Sequence, residues 1–264
     1  MKIDNLGNRM KSNYEDRAKS YLVKRTPVII RIDGKACHTF TKHLKKPYDE
    51  IFHTAMDKTM EYLCRNIQGC KLGYTQSDEI SLLLTDFDTL TTSAWFDFAV
   101  QKMSSVTSSM ATLAFNKVFA EEVEKYAFPY FHKGKVANED EMKYLDAIFN
   151  CKDNGLLFDA RCFSIPKEEV CNYFIWRQID ATRNAIQMLA HTYFSHKELQ
   201  CLNSNQLQDK LMIEKHINFN DMPTEFKRGI CFSKNETGWA FDKEIPIFSK
   251  NRDYVEEKMK CADK

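Results

Sequence analysis

The chain predicts an α+β fold: a ferredoxin-like antiparallel sheet with packed helices and a C-terminal extension of helix and hairpin. Three observations lead there. Short apolar runs rich in branched residues stop at turn residues, as buried strands do. Two long stretches between them repeat their apolar residues at helical spacing. The resulting order of strand, helix, strand, strand, helix, strand is that of the βαββαβ unit.

Taken in order, a polar helix is expected over roughly residues 7 to 22, and Pro27 punctuates the entry to a strand at 28 to 32, Val28-Ile29-Ile30-Arg31-Ile32. Residues 48 to 67 space Ile51, Phe52, Ala55, Met56, Met60, Leu63, Cys64 and Ile67 as one face of an amphipathic helix. A hairpin of strands 70 to 75 and 79 to 85 follows, then a second long helix over about 93 to 124 with Phe96, Val100, Met103, Val106, Met110, Leu113, Ala114 and Val118 on its apolar stripe. Residues 130 to 153 hold Lys133-Gly134-Lys135 and Glu139-Asp140-Glu141 and read as an irregular surface insertion. A strand at 156 to 165 ends at Pro166 and completes the unit. A third helix runs from near Glu168 to about His191, a polar segment covers Ser195 to Asp209, and a short hairpin around Ile217 to Phe248 closes the chain.

Composition narrows the class of protein. At 264 residues the chain can bury one large core, or one core with an appended subdomain. A net charge of +1 argues against a uniformly basic nucleic-acid coat and leaves local patches. One comprises Arg9, Lys11, Arg17, Lys19, Lys24 and Arg25; the other, just past the first strand, comprises Lys35, Lys42, His43, Lys45 and Lys46. No apolar run has the length of a membrane span, and the residues after Met1 lack a signal-type apolar core. Nine cysteines form no Cys-x-x-Cys pair. An intracellular protein with reduced thiols and no structural zinc is expected, cytoplasmic, with a mitochondrial address left open.

The chemistry concentrates at two acidic positions. Asp33 follows the first strand in Arg31-Ile32-Asp33-Gly34, and Asp78-Glu79 lie in the turn of the hairpin, Gly73-Tyr74-Thr75-Gln76-Ser77-Asp78-Glu79. The strand, helix and hairpin bring Asp33 and Asp78 side by side, where carboxylates repel unless a cation lies between them. Hard oxygen ligands suit Mg²⁺ shared with substrate phosphates, the outline of a two-metal phosphoryl or nucleotidyl transfer site. Gly34, without a Cβ, lets backbone approach a metal or phosphate. Lys46, Lys102 and Arg161 are candidate phosphate donors. His38 is the histidine placed near the acidic cluster, and Trp176, Tyr173 and Phe174 could either stack on bases or fill the core. The eight glycines include no Walker or dinucleotide-binding fingerprint, and no Gly-x-Ser-x-Gly elbow occurs.

These residues carry a family resemblance. Arg31-Ile32-Asp33-Gly34, Lys46-Pro47-Tyr48-Asp49, Tyr74-Thr75-Gln76-Ser77-Asp78-Glu79, Phe158-Asp159-Ala160-Arg161 and Trp176-Arg177-Gln178-x-Asp180 resemble, in order, the motifs of the tRNA-histidine guanylyltransferase superfamily, specifically its guanylyltransferase-like branch of 3′ to 5′ polymerases. The resemblance implies a polymerase-like palm over 1–166 with the insertion inside it. It implies a helical and hairpin extension over 167–264 that completes the nucleotide and tRNA sites. It further implies two Mg²⁺ ions, ATP and GTP or other NTPs as substrates, a 5′-truncated tRNA as acceptor and a homotetramer. By the same resemblance Asp33, Asp78 and the Gly34 carbonyl ligate metal with Glu79 nearby, and Asp33, Asp78 and Glu79 are the catalytic residues. Ser77, Lys102, Arg161 and Asn184 contact the incoming triphosphate, and His38, Lys46 and Asp49 line the activating nucleotide, with Arg31 also among the nucleotide-binding residues.

One departure bears on specificity. Where the histidine-tRNA-specific branch carries His-Ile-Asn-Asn-Leu-Tyr-Asn, this chain has Thr182-Arg183-Asn184-Ala185-Ile186-Gln187-Met188, and Arg183 adds a charge for tRNA contact. Template-directed repair or editing of a tRNA 5′ end is therefore expected, after ATP-dependent activation of a 5′-monophosphate. Histidine-tRNA-specific guanylation, a palm-fold nucleotide cyclase and a tRNA chaperone without chemistry are the competing readings.

Overall fold

The apolar run that begins at Val28 forms the expected strand and continues two residues past it, to Gly34. The protein is described by a computed structural model covering residues 5–235 and 238–259. Strand β1 (Val28–Gly34) leads through a short helix α2 (Cys37–Phe40) to the long helix α3 (Glu50–Asn66), then to the hairpin β2 (Cys70–Gln76) and β3 (Glu79–Leu84). Helix α4 (Val100–His132), helix α5 (Glu139–Asn154) and strand β4 (Phe158–Ser164) complete the unit. Its four strands lie in the order β4-β1-β3-β2, all antiparallel.

The C-terminal third continues the same sheet. After the long helix α6 (Lys167–Tyr193), helices α7 (His196–Leu199), α8 (Ser204–Lys215) and α9 (Thr224–Arg228) precede strands β5 (Ile230–Asn235) and β6 (Gly238–Asp242), and helix α10 (Asp253–Glu256) follows. Strand β5 pairs with β2, so the sheet has six strands in the order β4-β1-β3-β2-β5-β6.

Alternation along the strands divides two cores. Val28, Ile30, Ile32, Ile80, Leu82 and Leu84 face α3 and α4, whose Ala55, Met60, Leu63, Phe115 and Phe119 cover them. Ile29, Leu83, Tyr74 and Cys231 face the opposite side, against Val170 and Phe174 of α6 and Phe248. The same alternation puts Arg31 and Asp33 on the α6 side, where apolar burial gives way to charge. A third cluster, built by Leu189, Leu207, Leu211 and Phe226, holds the far end of α6 to α8 and α9.

Several boundaries differ from expectation for local reasons. The region expected to be irregular between 130 and 153 is mostly helix α5, because Asn138 and Glu141 form a reciprocal capping box and the acidic run fills the first turn, where the helix dipole favours negative charge. Its Tyr144, Leu145, Ile148 and Cys151 join the main core. The polar segment expected at 195 to 209 contains α7 and the start of α8, each opened by a capping box, from Ser195 and from Asn203. Helix α4 starts at Val100 rather than near 93, since Phe96, Asp97 and Phe98 hold left-handed backbone angles ahead of it. The N-terminal helix α1 (Asn5–Met10) continues through a π turn and a 3-10 turn only to Ala18. The closing hairpin is narrower than 217 to 248, being β5 and β6 alone. The eight described cysteines are free thiols, and no helix among the described residues is long and apolar enough to cross a membrane.

Asp49 fastens three of these pieces. It is 5% exposed, and it accepts from Phe52 N at 3.0 Å as the cap of α3, from Lys45 N at 3.1 Å, and from the Tyr144 hydroxyl of α5 at 2.7 Å. Asp49→Ala leaves three donors without their acceptor and is expected to lower unfolding stability by about 1–3 kcal/mol. Urea denaturation followed by circular dichroism measures it; an unchanged midpoint would contradict this role.

Candidate active site

At the C-terminal end of β1, backbone register lines up three acids. Asp33 is paired with Glu79 of β3 on one side and with Asp159 of β4 on the other. Two residues further in, Arg31 stands between Ser81 and Arg161 in the same way. A basic row therefore backs an acidic one. The hairpin turn adds Asp78, and the turn is tight enough that Ser77 takes a left-handed φ of 55°. A backbone bond from Gly34 N to Asp78 O, 3.1 Å, ties the end of β1 to this turn.

The acids are not treated alike. Glu79 accepts from Arg31 Nε at 2.9 Å and from Arg177 of α6 through Nε at 2.6 Å and a terminal nitrogen at 2.9 Å. Asp159 has Arg161 at 3.4 Å. Asp33, half-buried, makes no ion pair among the described residues, and burial, then the charges of Asp78 and Glu79, hold its pKa above the ordinary carboxylate value. Burial, and next the Asp78 carboxylate, push the Cys37 thiol well up in the same corner.

The donor set has the character of a shared cation site. No group of three or more His, Cys, Asp and Glu side chains among the described residues encloses a metal by itself. Two carboxylates and a backbone carbonyl are what Mg²⁺ commonly takes from a protein when water and substrate phosphates supply the rest. Space supports this fit: a Cβ added to Gly34 would lie 3.2 Å from Asp78 Cβ and 3.4 Å from Asp78 Oδ2. Asp33, Gly34 and Asp78 are thus the residues that would hold a divalent ion, and its charge would relieve the crowding that raises Asp33.

A cleft of about 220 Å³ opens beside them, lined by Arg31, Asp33, Ser77, Asp78, Glu79, Arg177 and Asn184 among others. Of the expected nucleotide contacts, Arg31, Ser77 and Asn184 line this cleft, Arg31 with its guanidinium paired to Glu79, and Arg161 lies one strand away with its side chain exposed. Lys46 is exposed, near enough for its charge to act on Cys37 and His53. His38 is exposed on α2 beside Thr39. Asp49 has the capping duty described above in place of an open face. Lys102 lines a separate cleft with Tyr21 and Phe96, its ammonium 5.1 Å from the Phe96 ring centroid. Arg183 is paired with Asp180 and exposed.

Two groups escaped the sequence reading of the site. His53 stacks face to face on Tyr48 at 3.8 Å and lines a small cavity with Gln76 and Ser77, so His38 is not alone near the turn. Burial pushes its pKa down to about 4, aided by Lys46, and burial raises Asp57 of the same cavity to about 7. The second group is Arg177 with Asp180. An arginine spaced with Tyr173, Phe174 and Ala181 on the buried face of a helix needs an acid partner, a signal present in Trp176-Arg177-Gln178-x-Asp180.

With this geometry in view, comparison with known proteins is direct. Residues 7–166 match the family described as tRNAHis guanylyltransferase. The chain belongs to that family. Its members are nucleotidyltransferases. A bacterial tRNA(His) guanylyltransferase (Thg1)-like protein in complex with ATP is 43% identical with a TM-score of 0.80, covering 98% of this chain and 100% of that one. A structure of such a bacterial protein in complex with GTP is 40% identical, with a TM-score of 0.76 over 97% of this chain and 99% of that one. The tRNA(His) guanylyltransferase of Saccharomyces cerevisiae is 27% identical over 76% of this chain and 80% of its own length.

Gly34 yields a sharp test. In Gly34→Ala the new methyl must displace Asp78 or Cys37 by a few tenths of an ångström. A misplacement of that kind is expected to slow nucleotidyl transfer about tenfold or more while the protein stays folded. Single-turnover rates with thermal melting as a control decide it; a full-rate variant would contradict the close approach.

Proposed function

We propose that this protein adds nucleotides to the 5′ end of a truncated tRNA, in the 3′ to 5′ direction, choosing each by pairing with the opposite strand of the acceptor stem. The observation that carries the reading is the convergence of Asp33, Gly34 and Asp78 on one edge of the cleft that Ser77 and Asn184 line. The ATP and GTP complexes of the bacterial relatives support nucleotides as substrates.

In this reading a 5′-monophosphate is first joined to AMP from ATP, releasing pyrophosphate. The 3′-hydroxyl oxygen of the incoming NTP then bonds to that 5′ phosphorus as the bond to AMP breaks, and AMP leaves with its electron pair. Bound Mg²⁺ would lower the pKa of the attacking hydroxyl and neutralise the leaving group. The chain's own share is positional. Asp33 and Asp78 would hold the cations to which the reacting phosphates bind. Ser77 is presented by the turn that carries Asp78, and Asn184 approaches from α6. Arg161, beside Asp159, and Lys46, whose charge reaches Cys37, are cations available to substrate phosphates. Cytoplasmic action as a homotetramer completes the proposal; sedimentation velocity of the purified chain tests the assembly.

Templating is favoured over fixed guanylation by the residues at the variant positions. The Thr182 hydroxyl donates to Lys227 O at 2.9 Å, and Met188 packs with the third core cluster. Neither offers the polar group that the histidine-specific branch carries there. A 5′-truncated, monophosphorylated tRNA incubated with ATP, the four NTPs and Mg²⁺ should therefore gain the nucleotide complementary to its opposing base. Changing that base from C to A should switch addition from G to U, with mismatches disfavoured by about 1–3 kcal/mol if discrimination matches that of well-read base contacts. Addition of G whatever the opposing base, on histidine tRNA alone, would contradict the reading.

A further inference from the structure

Glu79 stands in register with Asp33 and next in sequence to Asp78, yet it is the acid with the fewest free lone pairs. Arg177 grips both of its oxygens, and Arg31 takes Oε2 a second time through a terminal nitrogen at 2.6 Å. This happens out of bulk water: Arg177 is 7% exposed, and the Glu79 side chain 14%. The guanidinium of Arg177 also donates to Asp180 Oδ2 at 2.9 Å, and Asp180 in turn holds Arg183. The Trp176 indole covers the pair, with the Arg177 and Arg31 guanidinium carbons 4.4 Å and 5.7 Å from its ring centroid. The result is an alternating chain of charge, Arg31, Glu79, Arg177, Asp180, Arg183, running from β1 across β3 and along α6.

We infer that Arg177, assisted by Arg31, is a positioning residue that withdraws Glu79 from the cation site and makes it a tether between the β2–β3 turn and α6. The ions are left to Asp33, Gly34 and Asp78. Charge-assisted bidentate pairs of this kind are strong and directional, so an acid held by two guanidiniums gains little by moving to a metal. The tether also fixes where α6 carries Asn184 relative to Ser77, because Arg177 and Asn184 lie two helical turns apart on the same helix. This inference rests on the proposed metal-dependent site.

The test is Mn²⁺ titration of the full chain, read by electron paramagnetic resonance, so that metal affinity is measured apart from catalysis. If wild type binds, Asp78→Asn is expected to weaken Mn²⁺ binding about tenfold or more, while Glu79→Gln keeps the dissociation constant within about threefold, a split that separates ligand from tether. Arg177→Met should tighten Mn²⁺ binding, because it frees the Glu79 carboxylate, while lowering kcat; adding Glu79→Gln to it should return the affinity to the wild-type value. A purely structural arginine would not tighten the metal. The Glu79→Gln arm decides the matter even if Arg177→Met does not fold. Equal losses in Glu79→Gln and Asp78→Asn would overturn the tether, whereas no Mn²⁺ binding by wild type would overturn the site on which it rests.

Discussion

Three carboxylates forced into register across one end of a sheet set the terms for everything around them. Like charges directly opposite on neighbouring strands are destabilising, whereas a hydrogen bond to a charged group returns about 1.5–3 kcal/mol. The protein meets the repulsion unevenly. Glu79 receives two guanidiniums, Asp159 one, and Asp33 none as an ion pair. What remains at Asp33 and Asp78 is an excess of negative charge at the mouth of a cleft, and that residual charge is the chemical resource of the site.

The rest of the architecture keeps this imbalance in place. The core beneath β1 and β3 is closed by α3 and α4, so the strand ends are rigid where the acids emerge. Helix α6 covers the other face with apolar residues near its start and changes to Arg177 and Asp180 where it passes the acids. Strands β5 and β6 extend the sheet beyond β2, and α9 leads directly into β5, so the segment after α6 returns to support the hairpin that carries Asp78. The Tyr74 hydroxyl donates to Arg228 O at 2.7 Å and makes that support direct.

Much of this was legible in the sequence because it depends on local pattern. The strand at Val28, the helix from Ile51 to Ile67, the hairpin around Ser77-Asp78 and the strand before Pro166 announce themselves by periodicity and turn chemistry, and their order gives the βαββαβ unit. Helix α5 was hidden because its charged first turn, Glu139-Asp140-Glu141, resembles a loop unless Asn138 is read with Glu141 as a cap. Helix α8 has a similar disguise behind Asn203 and Gln206. For the candidate site, spacing marks Asp33, Gly34 and Asp78 and motif resemblance adds Ser77 and Asn184, and the structure sets these residues close together. The tie between Asp49 and Tyr144 could not be read, since the two are 95 residues apart and Tyr144 lies on the unforeseen helix. The grip of Arg177 on Glu79 spans 98 residues and three elements, a contact that only the tertiary arrangement creates.

If residual charge on Asp33 and Asp78 defines the site, a divalent cation should stabilise the folded protein through those two groups. The direct measurement is the melting temperature at neutral pH with and without Mg²⁺, in wild type and in Asp33→Asn/Asp78→Asn. Wild type should melt higher with Mg²⁺. The double variant should melt higher than wild type without Mg²⁺, its repulsion gone, and should gain nothing from the ion. An equal gain from Mg²⁺ in both proteins would contradict the account.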